Sequence, residues 1–479
     1  MSIYRNILGM LSALRRLRRR EFWTRAEIQA HQAQALQHLR THAYAHSPFY
    51  RDFHAGRMDR PLEELPILTK SMLNAHFDEI VTDPRITRAK VAEHMATLQG
   101  AESFLGEYFA NTTSGTTGDS TYILFNRAAW ATALASFTRF EQHIGSLWGM
   151  IQRPKMAVVA SSTPWHISAR IGTTVRSSWL PMLRLDVGEP IDRIVEQLNA
   201  WQPHLLATYA SMAAILAEEQ AAGRLQIAPR RVVSSAEVLS PALRRRLQSV
   251  WGDIVFNQYG ATEGGTFAVE CESPYRSPQA APDQTVADLT ESDRADHPRR
   301  GLHVFEDLFI FEVVDEHNRP VPPGQYGDKV LLTVLFNHAQ PLIRYELSDR
   351  VRMSPLPCAC GRGLALIDDI QGRREEILRF PGFGDHEIAV HPMVFYRILD
   401  ATPVHGWQVI HTPDKLCLHL TGEPAKVDAP ALIATVKQAL AQLGAVPPPI
   451  EVEWSSSVAR GTTGKAARIV KRQTVAAHQ

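Results

Sequence analysis

Between residues 156 and 257 short apolar runs alternate with helical stretches, and this alternation restricts the fold more than any other feature of the chain. Met156-Ala157-Val158-Val159-Ala160 and Leu205-Leu206-Ala207-Thr208-Tyr209 read as buried strands. Val232-Val233-Ser234-Ser235 and Ile254-Val255-Phe256-Asn257 read as two more, with helical stretches near 190–200, 211–222 and 241–250. Such a pattern calls for an α/β fold with largely parallel sheets, in which ligands sit outside the carboxyl ends of the strands.

Upstream lies Asn111-Thr112-Thr113-Ser114-Gly115-Thr116-Thr117-Gly118-Asp119-Ser120-Thr121, which packs seven hydroxyl side chains and two glycines into eleven residues. Glycine permits a tight turn and close approach of backbone to a ligand. Successive N–H groups in such a turn form an anion-binding nest, and hydroxyls add donors for phosphate oxygens. The apolar run Tyr122-Ile123-Leu124-Phe125 would seat the loop on a strand. A polar surface turn is the competing reading. It is not a Walker loop, because no Gly-Lys-Ser/Thr closes it.

Residues 1–55 read as helical, with a basic patch at Leu14-Arg15-Arg16-Leu17-Arg18-Arg19-Arg20 that is expected to be a solvated helix face. Ile28, Leu36, Leu39 and Ala43 keep helical spacing until Ser47-Pro48 breaks the helix. Leu65-Pro66-Ile67-Leu68-Thr69-Lys70 is expected to be extended. Residues 272–301 are polar and proline-rich and read as a long loop, either a lid or a disordered segment. Strands resume from Val304 to Val351, Gly372 to Gly384 reads as a linker, and the last hundred or so residues suffice for a small domain. The expected division is therefore a large domain of several subdomains, 1–371, and a small α/β domain, 372–479.

A chain of 479 residues is too long for one ordinary core, and its net charge of +1 gives no reason to expect nucleic acid as a partner. Four cysteines, Cys271, Cys358, Cys360 and Cys417, are too few for a disulfide scaffold and fit a reducing compartment. There is no apolar run of about 18 residues for a transmembrane segment and no signal-peptide pattern, so a cytoplasmic protein is expected. A dimer is compatible with this composition, which specifies no oligomeric state.

Further short motifs fall at predicted strand ends: Ser235-Ala236-Glu237, Tyr259-Gly260-Ala261-Thr262-Glu263 and Arg344-Tyr345-Glu346-Leu347-Ser348-Asp349. Gly372-Arg373-Arg374-Glu375-Glu376 opens the linker, and Arg460-Gly461-Thr462-Thr463-Gly464-Lys465-Ala466-Ala467-Arg468 lies near the C-terminus. In this order the motifs resemble the adenylate-forming superfamily of acyl- and aryl-CoA ligases, adenylation domains and luciferases, and most closely its phenylacetate–CoA ligase-like branch. The resemblance runs from Leu65-Pro66 to Arg468. It implies that Thr113, Ser114, Gly115, Thr116, Thr117 and Gly118 bind ATP phosphates, and that Ser235, Ala236, Glu237, Tyr259 and Gly260 flank the adenine. It further implies that Glu263, in the Thr262-Glu263 pair, helps hold Mg²⁺, that Asp349 grips the ribose, and that Arg373 contacts the nucleotide. Glu375 falls at the hinge and Lys465 at the catalytic lysine.

The chemistry so implied accounts for the residue types. A carboxylate attacks the α-phosphorus of ATP and pyrophosphate leaves, so charge on phosphoryl oxygens needs Mg²⁺ and a fixed cation. The acyl group then passes from AMP to CoA, or alternatively to an amine or a carrier thiol. Three departures from the family pattern stand out: Ser120 where Pro is usual, Glu375 where Asp is usual, and Ser235-Ala236 where Gly-Gly or Ser-Gly is common. None removes a catalytic charge.

Cys271, His303, Cys358 and Cys360 could form a Cys₃His zinc set, although spacing alone favours three ordinary cysteines and a surface histidine. The resemblance favours zinc, since several members of that branch carry Cys and His at matching places. Cys417 reads as a buried strand residue. Trp165, His166, Tyr209 and Phe267 are candidates for an aromatic-lined acid pocket, each with packing as its alternative role. The rival to a ligase is a non-catalytic binding protein on the same fold. A zinc hydrolase is excluded because four candidate ligands would leave no open position.

Overall fold

Thr24 starts a helix because its hydroxyl accepts from Glu27 N at 3.3 Å while the Glu27 carboxylate accepts from Thr24 N at 2.7 Å, a reciprocal cap. That helix, α2 (Arg25–His46), follows α1 (Ser2–Arg20) and ends at Ser47, whose side chain in turn caps α3 (Pro48–Phe53) with proline at its first position. The break expected at Ser47-Pro48 is thus a handover between two helices. The structure, a computed structural model, describes residues 2–100, 102–113, 121–139, 154–174, 181–273, 300–373, 377–382, 387–390, 392–459 and 467–472, with the backbone alone at residues 2–7, 373, 389 and 393. The expected loop at 272–301 lies almost wholly outside the described residues.

Three short helices, α4 (Lys70–Ala75), α5 (Phe77–Ile80) and α6 (Arg88–Thr97), lead to a hairpin of β1 (Tyr108–Thr112) and β2 (Tyr122–Asn126). The next helix, α7 (Arg127–Thr138), stacks Trp130 on Phe109 of β1 with ring centroids 5.1 Å apart. Such aromatic pairs are worth ~0.5–1.5 kcal/mol beyond the area they bury. The hydroxyl-rich segment 113–121 is therefore the connection of a hairpin seated on the main core.

Five parallel strands carry the α/β pattern. They are β3 (Met156–Ala160), β4 (Met182–Asp186), β5 (Leu205–Tyr209), β6 (Arg231–Ser235) and β7 (Val255–Ala261). The helices between them are α8 (Ile167–Thr174), α9 (Ile191–Trp201), α10 (Ala210–Ala221) and α11 (Pro241–Trp251). The expected strands and helices all form. Within the main sheet the expectation of largely parallel pairing holds for this half alone. From β7 the chain turns through Thr262-Glu263-Gly264 into β8 (Gly265–Glu270), and a turn that short can join only antiparallel strands.

Then follow β9 (Leu302–Val304), β10 (Phe309–Val314), β11 (Lys329–Val334), β12 (Tyr345–Leu347), β13 (Asp349–Met353) and β14 (Leu366–Arg373). The main sheet has nine strands in the order β13-β14-β9-β8-β7-β6-β5-β3-β4, and β10-β11-β12 form a separate antiparallel sheet. The linker expected at 372–384 is partly strand. Gly372 and Arg373 end β14 opposite Arg350 and Asp349, and β15 (Leu378–Pro381) pairs with β16 (Glu387–Val390). Glu375 lies outside the described residues.

C-terminal to this, α12 (Met393–Leu399), β17 (Gly406–His411), β18 (Leu416–Thr421), α13 (Ala429–Gln442), β19 (Ile450–Ser455) and β20 (Ile469–Lys471) give a sheet of order β19-β18-β17-β20. Its core, from Leu378 to Ile469, draws on Phe395, Trp407, Leu418 and Val436 and is distinct from the clusters under the main sheet. Cys417 is buried in β18, as expected.

Backbone conformation explains one sequence departure. Ala236, directly after β6, has φ of +65°, a left-handed geometry that suits glycine and strains a side chain. We expect Ala236→Gly to stabilise the protein by ~0.5–1 kcal/mol. The midpoint of urea unfolding should rise accordingly, and a fall would show that the turn prefers alanine.

Candidate active site and metal cluster

Register brings the strand-end motifs to one edge. In the parallel half Tyr209 pairs with Ser235, and Ser235 with Gln258, so the carboxyl ends of β5, β6 and β7 lie side by side. Glu237 is fixed beside them, accepting from Ser211 N at 2.8 Å and Ser211 Oγ at 3.1 Å. It thus places a negative charge at the N-terminus of α10, where the helix dipole favours one. Gly260 sits where β7 bulges, and a Cβ there would lie 2.3 Å from the Gly265 carbonyl oxygen, so only glycine fits. Glu263 occupies the β7–β8 turn with 8% of its surface exposed. Thr266 N, just beyond, donates to Ser136 Oγ at 3.1 Å, tying this turn to α7.

The two motifs farthest apart in sequence meet here. Tyr259 Oη donates to Asp349 Oδ2 at 2.7 Å, and the Tyr259 ring packs edge-on against Phe267 at 5.4 Å. Asp349 opens β13, and the β13–β14 register sets the Arg373 backbone directly opposite it. The positions expected to flank the adenine, grip the ribose and contact the nucleotide therefore share one corner.

The hairpin β1–β2 lies beside this edge. Thr113 N donates to the Thr121 carbonyl at 3.0 Å, closing the loop at its base, and Thr112 N donates to the Trp165 carbonyl at 2.9 Å. Asn111 Oδ1 and Thr121 Oγ1 are buried there without hydrogen-bond partners among the described residues. Ser114, Gly115, Thr116, Thr117 and Gly118 lie outside the described residues, as does Lys465.

Of the acid-pocket candidates, Trp165 is 37% exposed while His166 and Tyr209 are buried. His166 Nδ1 lies 3.0 Å from Ser161 Oγ, and Ser161 N donates to Tyr209 Oη at 3.1 Å, so Ser161 joins the two. Burial, then a backbone hydrogen bond to Ser161 that opposes it, leave the Tyr209 phenol above its ordinary range. Phe267 is a correction. It is fully buried between Tyr259, Phe309 and Phe311 and forms core behind the site, because every residue of β8 is buried on both faces. Arg184 was missed. Its guanidinium, held below its usual range by burial against the pull of Tyr209 and Asp186, donates to the Ser168 carbonyl at 2.9 Å. An arginine in the middle of the apolar strand Met182–Asp186 was the available signal.

Cys271, His303, Cys358 and Cys360 come together, with one donor atom from each lying within 4.8 Å of the others. Strand pairing does this. Cys271 follows β8, His303 sits on β9 paired to both β8 and β14, and the β13–β14 loop supplies Cys358 and Cys360. A tetrahedral Cys₃His zinc set needs donors about 3.5–3.8 Å apart, so the cluster fits with little closure. Cys360 Sγ is already 3.2 Å from His303 Nε2, and His303 Nδ1 faces the Leu364 carbonyl at 3.4 Å, an outer contact that orients the ring. Hydrogen bonds from Cys271 and Cys358 hold Cys360 far below the usual thiol range, and the same crowding pushes Cys358 far above it. Burial opposes charge on His303, yet contacts to Cys271 and Cys360 raise it to about 9. A donor set that resists full ionisation in this way is one a cation would relieve. Arg362, two residues on, donates to Glu21 at 2.9 Å and reaches Cys271 Sγ at 3.9 Å.

Residues 107–331 match the family described as AMP-binding enzyme. The phenylacetate-coenzyme A ligase of Thermus thermophilus is 25% identical over 404 residues, covering 81% of this chain and 78% of that protein. The phenylacetate-coenzyme A ligase of Escherichia coli is 26% identical over 382 residues, covering 74% of this chain and 73% of that one. A crystal structure of 2-hydroxyisobutyryl-CoA ligase in its postadenylation state superposes over 95% of this chain and 91% of that one, with a TM-score of 0.67 at 20% identity. With the strand-end motifs gathered at one corner of such a fold, residues 107–331 match the AMP-binding enzyme family, and the chain is similar over most of its length to phenylacetate-coenzyme A ligases.

Proposed function

We propose that the protein is an ATP-dependent carboxylate–CoA ligase. The carboxylate of an aryl or related acid attacks the α-phosphorus of ATP, pyrophosphate leaves, and the CoA thiol then displaces AMP from the acyl-adenylate. The observation that carries this reading is the Tyr259–Asp349 hydrogen bond of 2.7 Å at the carboxyl edge of the parallel strands. It brings the tyrosine expected to flank the adenine against the carboxylate expected to grip the ribose, in a chain whose relatives are named phenylacetate-coenzyme A ligases.

In this reading Asp349 accepts from the ribose hydroxyls, Tyr259 and the Ser235-Ala236-Glu237 turn flank the adenine, and residues 113–118 cradle the phosphates. Glu263, with Thr262, would hold Mg²⁺, which when bound supplies charge neutralisation at the phosphates. Arg373, whose backbone pairs with Asp349, would contact the nucleotide. Lys465 bridges the substrate carboxylate and α-phosphate, acting on charge that develops as the new P–O bond forms. Trp165, His166 and Tyr209 line the acid pocket. The Cys₃His cluster holds zinc in a structural role, since all four positions are protein ligands. Residues 372–479 act as a small unit that moves about Glu375, and no helix among the described residues is long and apolar enough to cross a membrane.

Pyrophosphate exchange into ATP over a panel of acids, with CoA or amines as acceptors, tests the reading and separates thioester from amide formation. Exchange that no acid supports would remove the adenylate. Lys465→Ala should slow exchange ~10²–10³-fold with ATP binding largely intact, because the lost contact belongs to the transition state. Near-normal exchange in that variant would exclude the lysine from the first step. Asp349→Ala should instead raise the KM for ATP with a smaller effect on kcat, since the ribose is held in ground and transition states alike. Elemental analysis should find about one zinc per chain. Its removal by a chelator should lower the unfolding midpoint by on the order of 5 °C, leaving exchange measurable at low temperature.

A further inference from the structure

Arg184 stands on β4, two residues before the strand ends at Asp186. Its neighbours Leu183 and Leu185 pack in one cluster with Ile194 of α9 and Ala213 of α10. Alternation therefore turns Arg184 to the opposite face of the sheet, where α8 lies. Helix α8 leaves room for the side chain. A Cβ on Gly172 would lie 2.1 Å from Arg184 Nη1, so the guanidinium passes the helix where glycine leaves a gap. Nη1 donates to the Ser168 carbonyl at 2.9 Å. The Ser168 hydroxyl bonds in turn to Tyr209 Oη, which also accepts from Ser161 N at 3.1 Å. Arg184 thus belongs with Tyr209, Ser161 and His166 at the carboxyl ends of β3, β4 and β5.

This largely buried guanidinium has no carboxylate of its own. Among the described residues its hydrogen bond goes to a neutral carbonyl, and it forms no ion pair. Asp186 attracts it from the next position on the same face of the strand. That carboxylate, however, already accepts from Ser162 N at 2.7 Å, from the Ser162 hydroxyl and from Gly188 N at 2.7 Å. Arginine cannot shed its charge and offers five N–H donors in a fixed fork. Taking such a group out of water without a counter-ion is costly. A ligand that brings the anion offsets the cost, and a planar guanidinium takes a carboxylate through two parallel hydrogen bonds.

We propose that Arg184 recognises a second carboxylate on the acid, so that the substrate is a dicarboxylic acid. One carboxylate is activated at the nucleotide, and the other pairs with Arg184 beside Tyr209. This rests on the ligase reading above and narrows its substrate class. Arg184 sets specificity and takes no part in the chemistry, since no bond forms or breaks at the second carboxylate. A neutral polar group on the acid would not serve, because it leaves the buried charge uncompensated.

Pyrophosphate exchange over acids taken in pairs that differ by one carboxylate tests this: phenylacetate with its para-carboxy derivative, and hexanoate with adipate. In at least one pair, kcat/KM for the diacid should exceed that for its partner by on the order of a hundredfold, because the monoacid leaves the arginine unpaired. Arg184→Met keeps the length and loses the charge. It should raise the KM for that diacid ~10–100-fold with kcat little changed, and so erase the preference. Arg184→Lys keeps the charge without the fork, and its KM should fall between the two. A wild type that uses the monoacid of every pair at least as well, or equal losses for both members of the pair in Arg184→Met, overturns the proposal. Thermal unfolding gives a readout without turnover. The diacid alone, at saturating concentration and without ATP, should raise the midpoint of the wild type and not that of Arg184→Met. A shift of equal size in both also overturns it. If no acid supports exchange but the diacid shift is present and lost in Arg184→Met, the ligase reading fails and the arginine site stands. Absence of both exchange and shift overturns both.

Discussion

Arg139 is the residue on which the packing of the large unit turns. It is fully buried at the end of α7, and its guanidinium donates to Asp307 Oδ1 at 2.6 Å and to Glu21, with the Phe305 ring 4.4 Å beneath it. Burial alone would disfavour its charge, but Asp307 and Glu21 more than restore it and its pKa is raised. Glu21 also takes Arg362 from the cysteine loop, and Asp307 also faces Arg20 at 3.7 Å, so charges of alternating sign run from the Cys/His cluster to the end of α1. A buried pair stripped of one partner typically costs ~3–5 kcal/mol. The N-terminal helices, α7 and the cysteine loop are thus bound to a common position. Gly363 reflects the same constraint, since a Cβ there would lie 2.3 Å from the Trp23 carbonyl oxygen.

That arrangement has a consequence for the site. Holding α7 in place holds Ser136, which accepts from Thr266 N, and so holds the turn that carries Glu263. The cluster of Cys271, His303, Cys358 and Cys360 secures the strands β8, β9 and β14 on the other flank of that turn. Residues far from the chemistry therefore set the orientation of a carboxylate that has 8% of its surface exposed and little freedom of its own.

How much of this the sequence discloses follows from the range of the interactions. The parallel strands and their helices are legible because apolar runs and turns are local signals, and the hydroxyl-rich loop is legible from composition. In the antiparallel half the strands from Val304 to Val351 are legible but their pairing is not, because a strand such as Lys329–Val334 is buried along its whole length, with even Lys329 paired to Glu346 at 2.6 Å, and shows no alternation to set its face. Gly372-Arg373 reads as linker because its strand character comes from pairing with Asp349 and Arg350, which no local pattern encodes. Phe267 looks like a pocket residue for the same reason. Its neighbours Phe309 and Phe311 lie on another sheet. The hydrogen bond from Ser240 to Asp400 joins residues 160 apart, and neither carries a motif.

The corner where Tyr259 meets Asp349 shows why the antiparallel half is needed. In the main sheet β13 stands four strands from β7, and in a flat sheet strand spacing alone would separate them by roughly 19 Å. The observed hydrogen bond of 2.7 Å requires the antiparallel strands to twist and roll back over the edge of the parallel ones. Chain connectivity assists, because β12 belongs to the three-stranded sheet and β13 to the nine-stranded one, with Ser348 alone between them. The chain changes sheets at that residue and delivers Asp349 to the corner. A purely parallel sheet would leave the carboxyl ends of β5, β6 and β7 open on one side. Here the rolled half closes that side with Asp349 and the Arg373 backbone, so the edge that faces a ligand is bounded by residues from both halves of one sheet.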